Sequence, residues 1–465
     1  MEDMKPCDSE QVVAVIGGGF SGTMVAVQLA RLAGTRRCRV ILFEKGNRFA
    51  RGVAYGTTCE QHLLNVPAGH MSALPDEPSH FLDWLRRHDP DAHAGTFASR
   101  QQYGNYLEEL LGSTAGTSPV EIELSNDEVV DLVEEPSEGS ITLKTARGNS
   151  RRADHVVLAL GHAPPQDPAG LVRPGHLPGY FANPWNSGGL EGLDPSDPIA
   201  LIGTGLTAVD LVIEAEARGH RGPIHAYSRH GILPHRHQAA PSRVHSGHTD
   251  IAGMHTPTAR SLLKQVRSEA RQWQAEGGDW RSVIDGVRPV AQTLWRGLAE
   301  PERRRFLRHV APRWDVHRHR IAPQIDDRIQ AAREGGQFEV VAARVLALEV
   351  DEATRGIRMR IRPRGASEDE SRVYRRVFNC TGPSRDIRAG SSPLLKAIIR
   401  RGLGQPGPLA LGLDVGDSGA LIAPGGRENA RILAIGPLLK EKLWETTAIR
   451  ELRVQAADLA RQILS

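Results

Sequence analysis

The sequence predicts an α/β protein made of two Rossmann-like dinucleotide-binding domains with a helical insertion, and three observations carry that prediction. An apolar strand runs into a glycine-rich turn at "AVIGGGFSG" from Ala14. The same device returns at "ALIGTGLTAVDLV" from Ala200. Each is followed by a strand-rich stretch that closes on an apolar run and a glycine. The chain has 465 residues, enough for two or three domains, and its 48 glycines suit a fold with many strand-to-helix turns.

In the first unit, Val12 to Ile16 is an apolar run that stops at Gly17, Phe20 to Leu32 reads as a helix, and "CRVILFEK" supplies the next strand. Gly17, Gly19 and Gly22 fit G-x-G-x-x-G, and Glu44 follows 22 residues after the last glycine, at the tip of the second strand. Glycines at those positions let backbone N–H groups approach a pyrophosphate at the helix N-terminus, while a carboxylate there accepts from a ribose diol. Phe20 and Ser21 in the turn and Lys45 beside Glu44 complete this candidate set.

The second unit repeats the logic. Ile199 to Ile202 is the strand, Gly203, Gly205 and Ala208 form the fingerprint, a helix runs to Arg218, and "PIHAYSRHG" is the next strand. Where the first unit ends in Glu44, the second ends in Ser228 and Arg229. An arginine there cannot accept from a 2′-hydroxyl but can hold a 2′-phosphate, which points to NADPH over NADH; the plain alternative is an arginine merely exposed at a strand end.

Further elements follow in order. "DHVVLALGH" ends its strand near Gly161 and "YRRVFNCTGPS" near Gly382; a third strand-like run, "RILAIGP", carries Gly436. Between Pro257 and Arg313 the pattern turns helical, with Trp280, Val283, Val287, Leu294 and Leu298 on one apolar face, read as core or as a substrate lid. "RPRGASEDESR" from Arg362 is a polar hairpin tip. The chain closes on an amphipathic helix through Ile449, Leu452, Ala456, Leu459 and Ile463, with Thr446 or Thr447 expected as N-cap.

The composition excludes several classes. A net charge of +3 gives no reason to expect nucleic acid or a membrane as partner, and runs such as "ERRRFLRH" lack interleaved aromatics. The N-terminus has no apolar signal region and no apolar run is long enough for a membrane helix, so a cytoplasmic protein is expected. Cys7, Cys38, Cys59 and Cys380 are widely separated and form neither a disulfide framework nor a metal knuckle.

Two dinucleotide sites in one chain suggest electron transfer between a held cofactor and a visiting one. Glu44 selects an unphosphorylated ribose, which suits FAD, and NADPH then delivers hydride to it. The strings "GVAYGTTCEQHLLNVPAGHMSALPDEPSHFLDWL" from Gly52, "SRQQYGNYL", "FANPW", "YSRHGILPHRH", "FNCTGPSRDI" and "LWETTAI" resemble the FAD-NAD(P)-binding flavoprotein family, which is related to flavin-containing and N-hydroxylating monooxygenases. The resemblance implies a split FAD domain, residues 1–190 and 377–465, with the NADP domain, 191–376, inserted between them and the helical insert at about 257–313. It implies FAD held by Gly17, Gly19, Gly22 and Glu44, the segment Asn65 to Ser72 near the isoalloxazine, and the helix start at Thr446, Thr447 and Ala448 closing over it. A helix N-terminus there would face the negative charge of reduced flavin; the alternative is an ordinary capped surface helix.

No redox cysteine pair is present, so dithiol reduction is rejected. Monooxygenation of a small molecule by molecular oxygen, through a C4a-hydroperoxyflavin, is favoured over simple reductase or oxidase chemistry and over a non-catalytic redox sensor. Asn65 and Met71 resemble an Asn and Met pair at the flavin's reactive face in the related monooxygenases; Asn65 read on its own can equally cap the turn before Pro67. "ILPHRHQAAPSRVHSGH" and "DVHRHRIAP" concentrate His and Arg in no closed metal-ligand spacing. They suit an anionic or heteroaromatic substrate or the NADPH phosphates, while the N-hydroxylating relatives suggest an amine.

Overall fold

The computed structural model describes residues 10–135, 139–168, 171, 177–186, 188–238, 245, 257–390 and 392–465. They divide into two compact units. One comprises the chain up to Thr58, Val66–Ala163 and Arg385–Ser465, and the other Cys59–Asn65 and Pro164–Ser384.

The first unit begins with β1 (Gln11–Ile16), α1 (Phe20–Leu32), β2 (Cys38–Phe43), α2 (Gly52–Tyr55), α3 (His80–Arg86) and α4 (Arg100–Thr117). It continues through β3 (Glu121–Ser125), β4 (Val129–Glu135), β5 (Ser140–Thr145), β6 (Ser150–Ala153) and β7 (His155–Leu158). The second unit supplies β8 (Tyr180–Phe181), β9 (Ile199–Ile202), α5 (Leu206–Ala217) and β10 (Ile224–Ser228), then six helices: α6 (Ala259–Ala275), α7 (Trp280–Val287), α8 (Ala291–Gly297), α9 (Glu300–His309), α10 (Ala311–Arg318) and α11 (Pro323–Glu334). It ends with β11 (Phe338–Asp351), β12 (Gly356–Pro363), β13 (Glu370–Tyr374) and β14 (Arg376–Asn379), after which α12 (Pro393–Arg400), β15 (Ala420–Ile422), β16 (Glu428–Ala434) and α13 (Ile449–Leu464) return to the first unit.

The main sheet of the first unit runs β15-β16-β7-β1-β2-β3. β1 lies parallel between β2 and β7, with Ile16 opposite Phe43 on one side and Leu158 on the other. A strand flanked on both edges and covered on both faces must be apolar throughout, which is why Val13 to Ile16 are all buried. α1 packs against both α4 and α13. The other apolar cluster joins Ile16, Ile41 and Phe43 to Leu132 and Leu143 of the small β4-β5-β6 sheet and to Leu394 and Ile398 of α12. α4 starts sharply because Ser99 accepts from Gln102 N at 3.1 Å while Gln102 Oε1 accepts from Ser99 N at 2.9 Å, a reciprocal capping box.

The sheet of the second unit runs β13-β12-β11-β10-β9-β14-β8. β9 is its counterpart of β1: fully buried, parallel to β10 on one side and β14 on the other. In both sheets the chain steps from the central strand to one neighbour and later fills the opposite side. The carboxyl ends of β1 and β9 are therefore topological switch points, where open α/β sheets leave a crevice for ligands.

Two readings of the sequence shift. Residues 164–190, expected in the first domain, fall in the second unit, because β8 pairs with β14 and the Asn379 amide donates to Gln166 O at 2.9 Å; the return to the first unit comes at Arg385 rather than 377. The expected apolar face at 280–298 is also divided. Pro289 sits in a short 3-10 turn that separates α7 from α8, and Leu298 lies beyond the end of α8, so Trp280 and Leu294 are only partly buried while Trp295 takes a core place.

Candidate functional site

The turn after β1 can be made only of glycine at two of its positions. Gly17 has φ +110°, and a Cβ there would lie 2.3 Å from Ala159 O; a Cβ on Gly22 would lie 1.9 Å from Gly17 O. Gly19 is different. It is the N-cap of α1 with an ordinary φ of −77°, and a Cβ would find its nearest neighbour at 3.5 Å, so the chain itself does not forbid a side chain there. No side chain caps α1, and its first N–H groups stand at the switch point. Glu44 closes the turn: Oε2 accepts from Gly18 N at 2.8 Å and Oε1 from Gly46 N at 2.9 Å. A carboxylate has about four acceptor sites, so each oxygen keeps capacity for a ribose hydroxyl. Phe20 and Ser21 are buried behind the turn, with Ser21 Oγ against the space beside Gly436, and Lys45 is exposed.

The turn after β9 reproduces this geometry. Gly203 has φ +122° and no room for a Cβ, which would meet Cys380 O at 2.2 Å. Gly205 caps α5 with φ −83°, and a Cβ there would have nothing within 4 Å. At the third position Ala208 is buried, so the helix here stands far enough from the turn to admit a methyl group. Ser228 is absorbed by the turn: Thr204 Oγ1 donates to its hydroxyl at 3.0 Å, as does Gly231 N at 3.0 Å. Arg229 is exposed at the end of β10. His230 beside it is held below the usual imidazole range by burial and then by the charges of Arg229, Arg313 and Arg364. Arg364 is fixed nearby by its N–H, which donates to Ala342 O at 2.7 Å, and a Cβ on Gly231 would lie 2.9 Å from the Ala342 side chain. Arg313 and Arg364 carry no motif and gave no signal in the sequence. Gly161 and Gly382 follow the strands β7 and β14 with φ +66° and +85°, each with open space where a side chain would be.

Asn65 and Met71 fall in different compact units. The Asn65 carbonyl accepts from His237 Nε2 at 2.9 Å, and burial, with the charge of Arg320, pulls the His237 imidazole down to about 4, so it is a neutral donor. Met71 is buried at the end of the short Ala68–His70 turn. The Ser72 hydroxyl donates to Glu77 O at 2.6 Å and accepts from Leu74 N at 3.2 Å, and its carbonyl accepts from Arg453 Nη1 of α13 at 2.8 Å. Arg453, which ties the closing helix to this segment, was missed by sequence reasoning because one arginine on an amphipathic helix has no distinguishing pattern.

The expected cap of α13 is corrected. Ala448 is the N-cap, with no side-chain hydrogen bond, while Thr446 is fully buried, donating to Gly436 O at 3.3 Å and accepting from Gln455 Nε2 at 2.9 Å. Thr446 stands two residues before the N-cap and Thr447 one, and neither is used as a cap. The helix start is therefore uncapped by its own side chains, at Thr447 and Ala448.

The two His/Arg segments come together. His235 N donates to Val316 O at 3.0 Å and Ile321 N to His235 O at 2.9 Å, bringing the His235 and His317 rings to 4.4 Å and Trp280 against both. Two of their arginines face carboxylates, Arg236 meeting Asp326 and Asp327 and Arg320 meeting Asp285, and Arg281, which donates to Arg236 O, meets Asp279. Among the described residues no group of three His, Cys, Asp or Glu could hold a metal. The part of the first segment at 239–244 and 246–248 lies outside the described residues. Among the described residues no helix is long and apolar enough to cross a membrane.

Residues 14–163 match the FAD-NAD(P)-binding family. That stretch holds the first glycine turn, Glu44, Asn65, Met71 and Gly161. No curated protein sequence matches the chain. Among solved structures, it is similar to the reduced form of ornithine hydroxylase from Pseudomonas aeruginosa, at 16% identity over 98% of this chain and 99% of that one, with TM-score 0.66. It is also similar to an ornithine N-hydroxylase from Kutzneria sp. 744 with reduced FAD, NADP+ and L-ornithine, at 13% identity over 98% and 99% of the two chains, with TM-score 0.61. The bacillithiol disulfide reductase of Staphylococcus aureus shares the fold at 12% identity over 98% of each chain, with TM-score 0.56. The fold is thus the two-dinucleotide architecture read from the sequence, and proteins of different chemistry carry it.

Proposed function

We propose that this chain is an FAD-dependent, NADPH-consuming monooxygenase that hydroxylates a small amine. The observation that carries the cofactor reading is the pair Gly19 and Gly205. Both cap a helix at a switch point with ordinary backbone angles, and neither needs to be glycine for the protein's own packing. The free room suits a pyrophosphate brought against each helix N-terminus. Glu44 at the first turn fits the adenosine ribose of FAD, and Arg229, with Arg313 and Arg364, fits the 2′-phosphate of NADPH at the second.

Bound FAD would take hydride from the nicotinamide and pass the electrons to oxygen. In balance, NADPH, a proton, oxygen and an amine give NADP+, water and a hydroxylamine. The residues of this chain supply the setting. The fixed N–H groups of α1 and α5 and the two ribose-end groups hold the dinucleotides, and Asn65 is assigned to the reacting face with its backbone carbonyl fixed by neutral His237. In the first unit Met71 is assigned to pack against the FAD, and Thr447 and Ala448 to offer it uncapped N–H groups. An amide at Asn65 can hydrogen-bond without delivering a proton that would release hydrogen peroxide early.

Two features favour an amine over an anionic or heteroaromatic substrate. Arg236 and Arg320 of the His/Arg segments, and Arg281 beside them, are each set against a carboxylate, so these three do not form a ready anion site. The two hydroxylases of like fold described above are named for ornithine, an amine. A dithiol reductase reading needs two reactive thiols, and among the described residues only Cys59 is held below the usual thiol range, against burial, by the hydrogen bond and charge of His62; Cys38 and Cys380 are buried, and burial pushes both thiols up, Cys38 to about 11. The test is NADPH consumption in air by the FAD-loaded protein with ornithine, lysine and simple diamines. Amine-stimulated consumption with hydroxylamine formation supports the reading. Consumption that yields only hydrogen peroxide, whatever amine is added, overturns it.

A further inference from the structure

Between Glu44 and α3 the chain makes a loop whose role the glycine fingerprint does not explain. Ala50 and Gly52 both adopt positive φ, +66° and +54°, and between them Arg51 is driven inward until only 4% of it is exposed. Its guanidinium is gripped by α4. Nη2 donates to Glu108 Oε2 at 2.6 Å, Nε donates to the other oxygen of the same carboxylate, and Nη2 also donates to Asn105 Oδ1. The helix is shaped for it, since a Cβ on Gly104 would lie 2.7 Å from Arg51 Nη1 and 2.8 Å from Tyr55 O.

On its other side the loop meets the first glycine turn. Ala50 N donates to Gly18 O at 2.7 Å, and Gly52 packs on Gly19 so closely that a Cβ on Gly52 would lie 3.2 Å from the Gly19 Cα. Gly18 also donates its N–H to Glu44, so one residue of the turn is held from both directions. The glycine turn alone fixes the N–H groups; the loop fixes what stands over them. Positive φ is a strained conformation for Ala50 though not for Gly52, and the two-pronged guanidinium–carboxylate bond is the contact that holds the segment there.

We infer that Arg51, through its paired bond to Glu108, is a positioning residue that holds the 50–56 loop across the first glycine turn and thereby sets the affinity for FAD. This rests on reading that turn as the FAD site. A role limited to general stability would lower the melting temperature of every form of the protein and leave the intrinsic FAD affinity alone. Positioning changes the affinity itself.

The experiment titrates FAD into deflavinated protein by the quenching of flavin fluorescence, beside melting of the same apoproteins and NADP+ binding by calorimetry. Glu108→Gln, which keeps an acceptor but removes the charge, and Gly104→Ala, which displaces the guanidinium without altering any charge, are each expected to weaken FAD binding about tenfold, with NADP+ affinity unchanged. Arg51→Lys, which keeps the charge but not the fork, is expected to fall between them and wild type. FAD affinity unchanged in folded Glu108→Gln and Gly104→Ala, with only the melting temperature lowered, overturns the inference. A wild-type apoprotein that takes up no FAD overturns the cofactor reading instead, and the two failures are told apart by that first titration.

Discussion

The two glycine turns are one design executed twice, and their third fingerprint position separates them. At Gly22 a methyl group would be 1.9 Å from the carbonyl of Gly17, whereas the second turn carries Ala208 fully buried at the same place. α1 therefore lies closer to its turn than α5 does. The ends differ too. Glu44 is drawn into the first turn by two backbone N–H groups, while at the second Ser228 is drawn in and Arg229 is left outside with Arg313 and Arg364 around His230. The first site is tied down on every side, as suits a cofactor that stays. The second presents exposed cations, as suits one that comes and goes.

Alanine at the equivalent glycines breaks this comparison most sharply. Gly22→Ala is expected to abolish FAD retention and much of the soluble yield, because backbone must move to admit the methyl group. Ala208→Gly should cost only about 1 kcal/mol, the ordinary helix penalty, and leave NADPH binding nearly intact. The middle glycines should behave alike. Gly19→Ala and Gly205→Ala are expected to fold with wild-type melting temperatures in the apo form and to lose at least tenfold in affinity for FAD and NADP+ respectively. If Gly205→Ala bound NADP+ as wild type does, the open space beside it would have no ligand to explain it.

A smaller effect is expected from the cations of the second site. Arg229→Ala, Arg313→Ala and Arg364→Ala should each raise the KM for NADPH about five- to tenfold, the equivalent of roughly 1 kcal/mol per charge-assisted contact, while the KM for NADH stays within twofold. Steady-state kinetics with both nucleotides at constant ionic strength checks this. Equal effects on NADPH and NADH would place the arginines elsewhere on the nucleotide.

Much of this was legible because it depends on local rules. The strands at Ile16, Phe43, Ile202 and Ser228 and the helices between them follow from apolar runs interrupted by glycine, and both glycine turns were marked by their spacing. The features that escaped depend on contacts distant in sequence. The charges of Arg313 and Arg364 act on His230 from α10 and from a hairpin, and Glu108 reaches Arg51 across 57 residues. The Thr446 cap failed for a related reason: Gln455 and Gly436 compete for its hydroxyl, and propensity for capping says nothing of such partners. Residues 164–190 were assigned to the wrong side of the boundary because a two-residue strand, β8, decides where they pair.

The smallest effect concerns His237, the contact that holds Asn65. Its folded pKa lies at about 4 against an ordinary value of 6.5, through burial and the positive charge of Arg320. The Asn65 carbonyl and Asp285 favour the proton, and Arg281 opposes it, without reversing the shift. Between pH 4 and 6.5 the unfolded chain therefore binds more protons at this site than the folded one, so stability rises with pH across that window and is lost as pH falls through it. Carboxylates change the melting temperature over the same range, and the comparison must be made against a variant. His237→Gln keeps a donor for the Asn65 carbonyl but cannot titrate. Its melting temperature is expected to lie slightly below wild type at pH 7.5 and to fall less steeply toward pH 4.5. Parallel curves for the two proteins would mean that His237 is protonated as readily folded as unfolded, and that below about pH 6.5 Asn65 is held by a charged imidazole.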